Sequence, residues 1–272
     1  MKAPPTPRAP HPPPPAPGDV APGHALDWLV AGWRIFMKAP VVWALQALVF
    51  FVVIAALGML PFLGWAAAPM VLPLLIAGML SGARALDRGD ALLVGQLFDG
   101  LRQHAGRLLL VGLFHLLGLL LAALAAAAIG GSAVLTGTAA SAVGGLAGAG
   151  IAAGGMMLGV AVFTVLWALL MMALWFAPAL VMLHDVAPLD AMTLSARACF
   201  HNLLAFIVLA ALLYVLVWVA MIPAGLGMLV LIPVIAGALY AAWKETFSPL
   251  LPAPTDDTRA DAPTATDEPP KP

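Results

Sequence analysis

The sequence predicts an all-α integral membrane protein. It places six transmembrane helices in three hairpins, each preceded by a short amphipathic helix on the cytoplasmic face. Three observations carry this. Of 272 residues, 63% are hydrophobic and 9% charged, against roughly 25% charged in soluble domains, so too little polar surface exists to cover a water-soluble globule. The intervals 39–83, 108–184 and 198–243 contain no Asp, Glu, Lys or Arg, and each has room for two apolar helices of about 20 residues. The basic residues cluster beside the ends of these intervals.

Taken in order, residues 1–23 (MKAPPTPRAPHPPPPAPGDVAPG) have no apolar run of the kind a cleaved signal requires, so the first apolar helix is expected to direct the chain to the membrane. This stretch reads as a Pro-rich, solvated tail. Span one is expected at about 40–60, with Pro40 in the first turn, and span two at about 65–83 after a turn at Pro61-Phe-Leu-Gly64. Spans three and four are expected at about 108–129 and 157–179. Between them GGSAVLTGTAASAVGGLAGAGIAAGG (130–155) reads as a connection, because its glycines and hydroxyls are poor helix formers, although glycine is better tolerated in membrane helices. Spans five and six, at about 203–222 and 226–243, flank a tight Pro223-Ala-Gly-Leu-Gly227 turn. Residues 248–272 form a second Pro-rich tail made acidic by Asp256, Asp257, Asp261, Asp267 and Glu268.

Charge decides the threading. Basic residues near span ends favour the cytoplasm. With six spans, Arg34, Lys38, Arg84, Arg88, Arg102, Arg107, Arg197 and Lys244 share one side, and the three opposite connections carry no charge. A seventh span at 130–155 would export Arg197. Six spans with both termini cytoplasmic is the expectation.

Two stretches before spans share the spacing D-x6-R-x3-[K/H]: Asp27, Arg34, Lys38 and Asp190, Arg197, His201. On a helix these offsets return to one face, which makes each an interfacial helix with a polar side. A looser copy, Gln96 to Arg107, lacks the leading carboxylate. The chain thus reads as three units starting near 24, 91 and 188, by triplication or by shared interfacial physics.

Catalytic constellations are absent from the pattern. No H-E-x-x-H, G-x-S-x-G or Walker sequence occurs, the single Cys199 cannot build a thiol or metal cluster, and no carboxylate lies inside a span to relay ions. No catalytic, cofactor or metal residue is assigned, and nucleic acid is not an expected partner. The intramembrane polar residues Gln46, His115 and Tyr214 remain. They fit either interhelical hydrogen bonds or a polar pocket in which Gln46 and His115, at similar depths, face the same space. His184-Asp185 reads as a loop start rather than an acid–base pair. Gly78-x-x-x-Gly82 and Gly155-x-x-x-Gly159 allow close helix approach, and Pro69, Pro73 and Pro233 predict kinks. Arg34, Lys38, Arg84, Arg88, Arg102, Arg107 and Arg197 are candidate contacts for anionic lipid, or topology determinants alone.

The stretch WFAPALVMLHDVAPLDAMTLSARACFHNLLAFIVLAALL (175–213), with Trp28-Leu-x3-Trp-x2-Phe, resembles an uncharacterised family of six-helix proteobacterial inner-membrane proteins. More distantly it is similar to the membrane domain fused to glycerophosphodiester phosphodiesterases, without their catalytic domain. The resemblance covers 24–247 and implies a bacterial inner-membrane location. The expected function is non-enzymatic, through lipid or protein contacts, with a protein partner or a homo-oligomer both open. The alternative is a transporter or lipid-handling protein for an apolar or amphiphilic cargo.

Overall fold

The computed structural model describes residues 17–61 and 63–247, which form helices and connections with no strand among them. The expected tails lie outside the described residues, apart from 17–23. The helices are α1 (His24–Lys38), α2 (Pro40–Gly58), α3 (Leu63–Arg88), α4 (Asp99–Gln103), α5 (Ala105–Gly144), α6 (Leu146–Trp175), α7 (Ala177–His184), α8 (Pro188–His201), α9 (Leu203–Met221) and α10 (Met228–Phe247). Six helices are long and apolar enough to cross a membrane, the fourth being α6 continued by α7. The charged side chains gather at one end of the bundle and are tied to one another there: Arg107 to Asp185, Lys244 to Asp87, His24 to Glu245 and His201 to Asp19. Trp65 and Trp218, exposed near the opposite ends of their helices, suit the aromatic belt of a membrane interface.

The largest departure from the hydropathy reading is at 130–155. Both helices extend into it and meet at Gly145, where φ is 61°, so α5 has 40 residues, about 60 Å at 1.5 Å per residue and roughly twice a bilayer core of ~30 Å. Two features hold the segment helical. Its hydroxyls bond back to carbonyls of their own helix: Ser132 to Ile129, Thr136 to Ser132, Thr138 to Leu135 and Ser141 to Thr138. No hydroxyl is then left to compete for the backbone in an apolar medium. The glycines form the seam between the helices. A Cβ on Gly130 would lie 2.7 Å from Gly159 Cα, on Gly137 2.3 Å from Ala152 N, and on Gly148 2.1 Å from Ser141 N. Residues that weaken a lone helix let two helices meet backbone to backbone.

The buried core lies toward the charged end, where α1, α3, α7, α8 and α10 pack around Trp28, Leu80, Leu97, Phe176, Val181 and Phe247. Helix α1 is more than an interfacial float. It crosses α10 where a Cβ on Gly237 would lie 2.8 Å from Gly32 Cα, which buries Trp28, Ile35 and Phe36 while Trp33 stays exposed. The third amphipathic unit is not one helix: a 3-10 turn at Val94–Phe98 is followed by the five-residue α4. This segment beds into α3, where a Cβ on Gly78 would meet Leu97 O at 1.9 Å and one on Gly100 would meet Leu74 O at 2.3 Å.

Leucine at Gly130 or Gly137 is expected to destabilise the protein by about 1–3 kcal/mol, the usual cost of overpacking. Leucine at Gly131 or Gly150, where an added Cβ meets open space, should leave stability unchanged. Unfolding midpoints in a denaturing-detergent titration check this, and equal loss at both pairs would refute a seam.

Candidate functional site

Helix six breaks at Phe176. Pro178 cannot donate to the carbonyl of Leu174, and at the same turn the Ser195 hydroxyl from α8 enters the helical ladder. It receives the Phe176 amide at 2.9 Å and donates to Met172 O at 2.7 Å. These are the two groups an unbroken helix would bond to each other, and a side chain inserted between them is a recognised cause of a kink. The break turns Phe176 into an aromatic cluster. Phe206 stands 5.5 Å from both Phe176 and Trp28 and 6.3 Å from Trp175, and Phe247 stands 5.4 Å from Phe176. Asn202 ties the incoming chain to this cluster, donating to Gly18 O and accepting from the Val20 amide at 2.8 Å.

Above the cluster, α5 and α6 make no sizeable contact with α9 or α10. Two apolar spaces lie along the cleft between these hairpins. The outer one, about 490 Å³, runs between α6 and α9 past Trp167, Ala168, Met172, Cys199, Ile207 and Ala210. The inner one, about 280 Å³, is walled by Phe50, Pro73, Ile76, Leu174, Ile232 and Leu239, with His115 its polar side chain. Met171 and Trp175 border both spaces. These volumes bracket the lower part of the range for small-molecule sites, about 300–1,000 Å³.

His115 lines the inner cavity beside a proline defect in α3. Pro73 has no amide to offer the Pro69 carbonyl four residues earlier, and α5 passes close to that carbonyl, where a Cβ on Gly112 would lie 2.8 Å from Pro69 O. Gly112, one turn before His115, permits the approach: its Cβ would lie 2.4 Å from Met70 Cα. Gln46 serves a different place. Fully buried, it donates to Leu93 O at 2.8 Å and anchors the loop before the 3-10 turn, whose Leu93 amide is bonded by Gln96. Gln46 and His115 therefore do not share a pocket. Nor is Tyr214 an interhelical contact, because it faces outward from α9 against Trp218, 65% exposed.

The predicted basic residues divide into two groups. Lys38 donates to Leu86 O, Arg102 pairs with Asp99, and Arg107 holds Asp185. Arg34, Arg84, Arg88 and Arg197 have no hydrogen bond or ion pair among the described residues. Arg34 and Lys38 line a polar groove of about 560 Å³ with Asp87, Tyr240 and Lys244. The His184-Asp185 dipeptide is split: His184 lies against Trp243, whereas Asp185 ends α7 at φ 57° and receives Arg107. The two do not pair with each other, and the histidine beside Asp185 is His104, whose Nδ1 lies 3.4 Å from Asp185 Oδ1. Ser195, Trp175, Phe176 and Phe206 organise the cleft, yet the sequence carried them only as an unexplained motif.

No protein-family model and no solved structure matches the chain. A protein of Burkholderia thailandensis named a probable inner membrane protein is 26% identical over 223 residues, covering 79% of this chain and 79% of the relative. Together with the six apolar helices, this makes the chain a multi-pass inner-membrane protein.

Burial pushes the Cys199 thiol up to about 12 from an ordinary 9.0, against a smaller lowering by a bond to Ser195. From pH 9 toward 12 the unfolded thiol loses a proton that the folded one keeps, so stability falls as pH rises across that window. Cys199→Ala should flatten this part of the stability profile. Identical slopes for both proteins would count against a buried thiol.

Proposed function

We propose that the protein acts without catalysis, by holding membrane lipid in the cleft between its two long hairpins. The observation that supports this is the 490 Å³ outer space. It is apolar and borders α6 and α9, which are mostly exposed helices of membrane-spanning length. The medium that reaches such a space is hydrocarbon, and an acyl chain fills it without desolvation cost. In this reading the charged end faces the cytoplasm. Arg34, Arg84, Arg88 and Arg197 there, without an ion pair among the described residues, add attraction to anionic headgroups, about 1 kcal/mol per basic residue near the surface.

Phenylalanine at Ala168 and Ala210, on opposite walls of the space, should abolish lipid retention measured by native mass spectrometry from nanodiscs. Ala211→Phe, exposed outside the space, should not. Equal retention in all three proteins refutes the site. Orientation has its own test. In a Cys199→Ala background, cysteines at Asp27 and Asp190 should resist a membrane-impermeant maleimide in intact cells, and one at Ala224 should react. The reverse pattern overturns the topology.

A further inference from the structure

The polar groove between α1, α3 and α10 lies at the depth of lipid phosphate. Lys38 stands two residues before Pro40, where the membrane-length α2 begins, and Lys244 is in the last turn of α10. The groove is therefore level with the ends of two spanning helices, where basic side chains meet headgroups. Its carboxylates are already answered. Asp87 Oδ2 receives Lys244 Nζ at 2.8 Å and the Tyr240 hydroxyl at 3.0 Å. Glu245 holds His24 on one oxygen and the Trp28 indole N–H, at 2.6 Å, on the other. Lys244 is thus offset by Asp87, and the positive charges of Arg34 and Lys38 are left on the wall. Arg34 has no ion pair among the described residues, and Lys38 donates to the neutral Leu86 carbonyl at 3.0 Å. The two stand one helical turn apart, so one anion can meet both.

A second feature of α1 says what kind of anion this is. Leu26, Val30, Trp33 and Met37, at offsets of four, seven and eleven, share one face of the helix, and all four are exposed. One residue further round lie Ala31, Arg34 and Lys38, which line the groove. A soluble anion would fill the groove and leave this apolar stripe uncovered. An amphiphile covers both, its head in the groove and its hydrocarbon along the stripe. Charge then narrows the head. A phosphomonoester carries about −1.5 to −2 at pH 7 with three acceptor oxygens, which matches two cations that have donors to spare. A phosphodiester or a carboxylate carries a single charge.

We propose that the groove binds the headgroup of a phosphomonoester lipid, of the phosphatidic acid class, with Arg34 and Lys38 on the phosphate and the acyl chains beside Val30, Trp33 and Met37. This rests on the membrane-lipid reading above, and gives the attraction at the charged end a place and a headgroup.

The test is native mass spectrometry of the full-length protein released from phosphatidylcholine nanodiscs. These contain equal small amounts of phosphatidic acid and phosphatidylmethanol with identical acyl chains. The second lipid differs by one methyl group on the phosphate, which removes one negative charge. Phosphatidic acid should be retained about two- to tenfold over phosphatidylmethanol, the range that one or two exposed ion pairs supply. The double variant Arg34→Gln/Lys38→Gln should bring the two lipids to parity. Arg197→Gln, a change outside the groove, should preserve the preference. Inorganic phosphate, at an ionic strength matched with chloride, should not displace the bound lipid.

Equal retention of the two lipids by the wild type overturns the proposal and needs no variant to fold. A preference that survives in the double variant overturns it as well, because the headgroup then sits elsewhere. Displacement by inorganic phosphate assigns the groove to a soluble anion and removes the lipid. Retention of lipid without headgroup preference leaves the lipid-holding cleft standing and removes the groove, whereas no retained lipid of any class removes both.

Discussion

A helix interrupted inside an apolar medium leaves an amide and a carbonyl that water cannot reach. The protein meets that constraint with the Ser195 hydroxyl, which stands between the Phe176 amide and the Met172 carbonyl. Much of the structure hangs on this contact. It fixes α8 across the end of α6, turns Phe176 onto Phe206 and Phe247, and sets Trp175 as the partition between two spaces. An unsatisfied buried backbone group costs about 1–3 kcal/mol, so the serine is held in place by two such costs together. Prolines interrupt the ladder again in α3, at Pro69 and Pro73, where α5 passes close at Gly112.

The large divisions of the fold were legible because charge and hydropathy act on whole segments. The first, second, fifth and sixth expected spans correspond to α2, α3, α9 and α10 with small shifts at their ends. Pro223 to Gly227 forms the turn its composition suggests, with Ala224 and Gly225 at positive φ. What failed was reasoning that treats a segment as isolated. Glycine propensity argued against helix at 130–155, yet Gly130, Gly137, Gly148, Gly155 and Gly159 are where α5 and α6 touch. The matched depths of Gln46 and His115 suggested a common pocket. Gln46 instead answers the Leu93 carbonyl, while His115 lines the inner cavity. Single-chain patterns report the type of a residue and its depth, but not which neighbour lacks a partner.

The three amphipathic units show how one signal can conceal different uses. The first crosses α10 through Gly32 and Gly237 and contributes Trp28 to the core. The last supplies Ser195 and Asn202, one mending a helix and the other fastening residues 18–20. The middle one is split into a 3-10 turn and a short helix seated on glycines of α3. Interfacial spacing put polar groups on the outward side in each case, and the inward sides then diverged. This is why a shared pattern of charge did not extend to shared secondary structure.

The long hairpin has a mechanical meaning. Its two helices are joined along a backbone-to-backbone seam, and its broken end is braced against α8 by Ser195. From the break at Phe176 to Leu146 it is therefore a stiff lever of 30 residues, about 45 Å long, hinged beside the cleft. A rotation of about 5° at such a base carries the far end through about 4 Å. Motion at the cleft, small enough to be absorbed by a few side chains there, would arrive at Leu146 as a displacement larger than the side-chain shifts that began it.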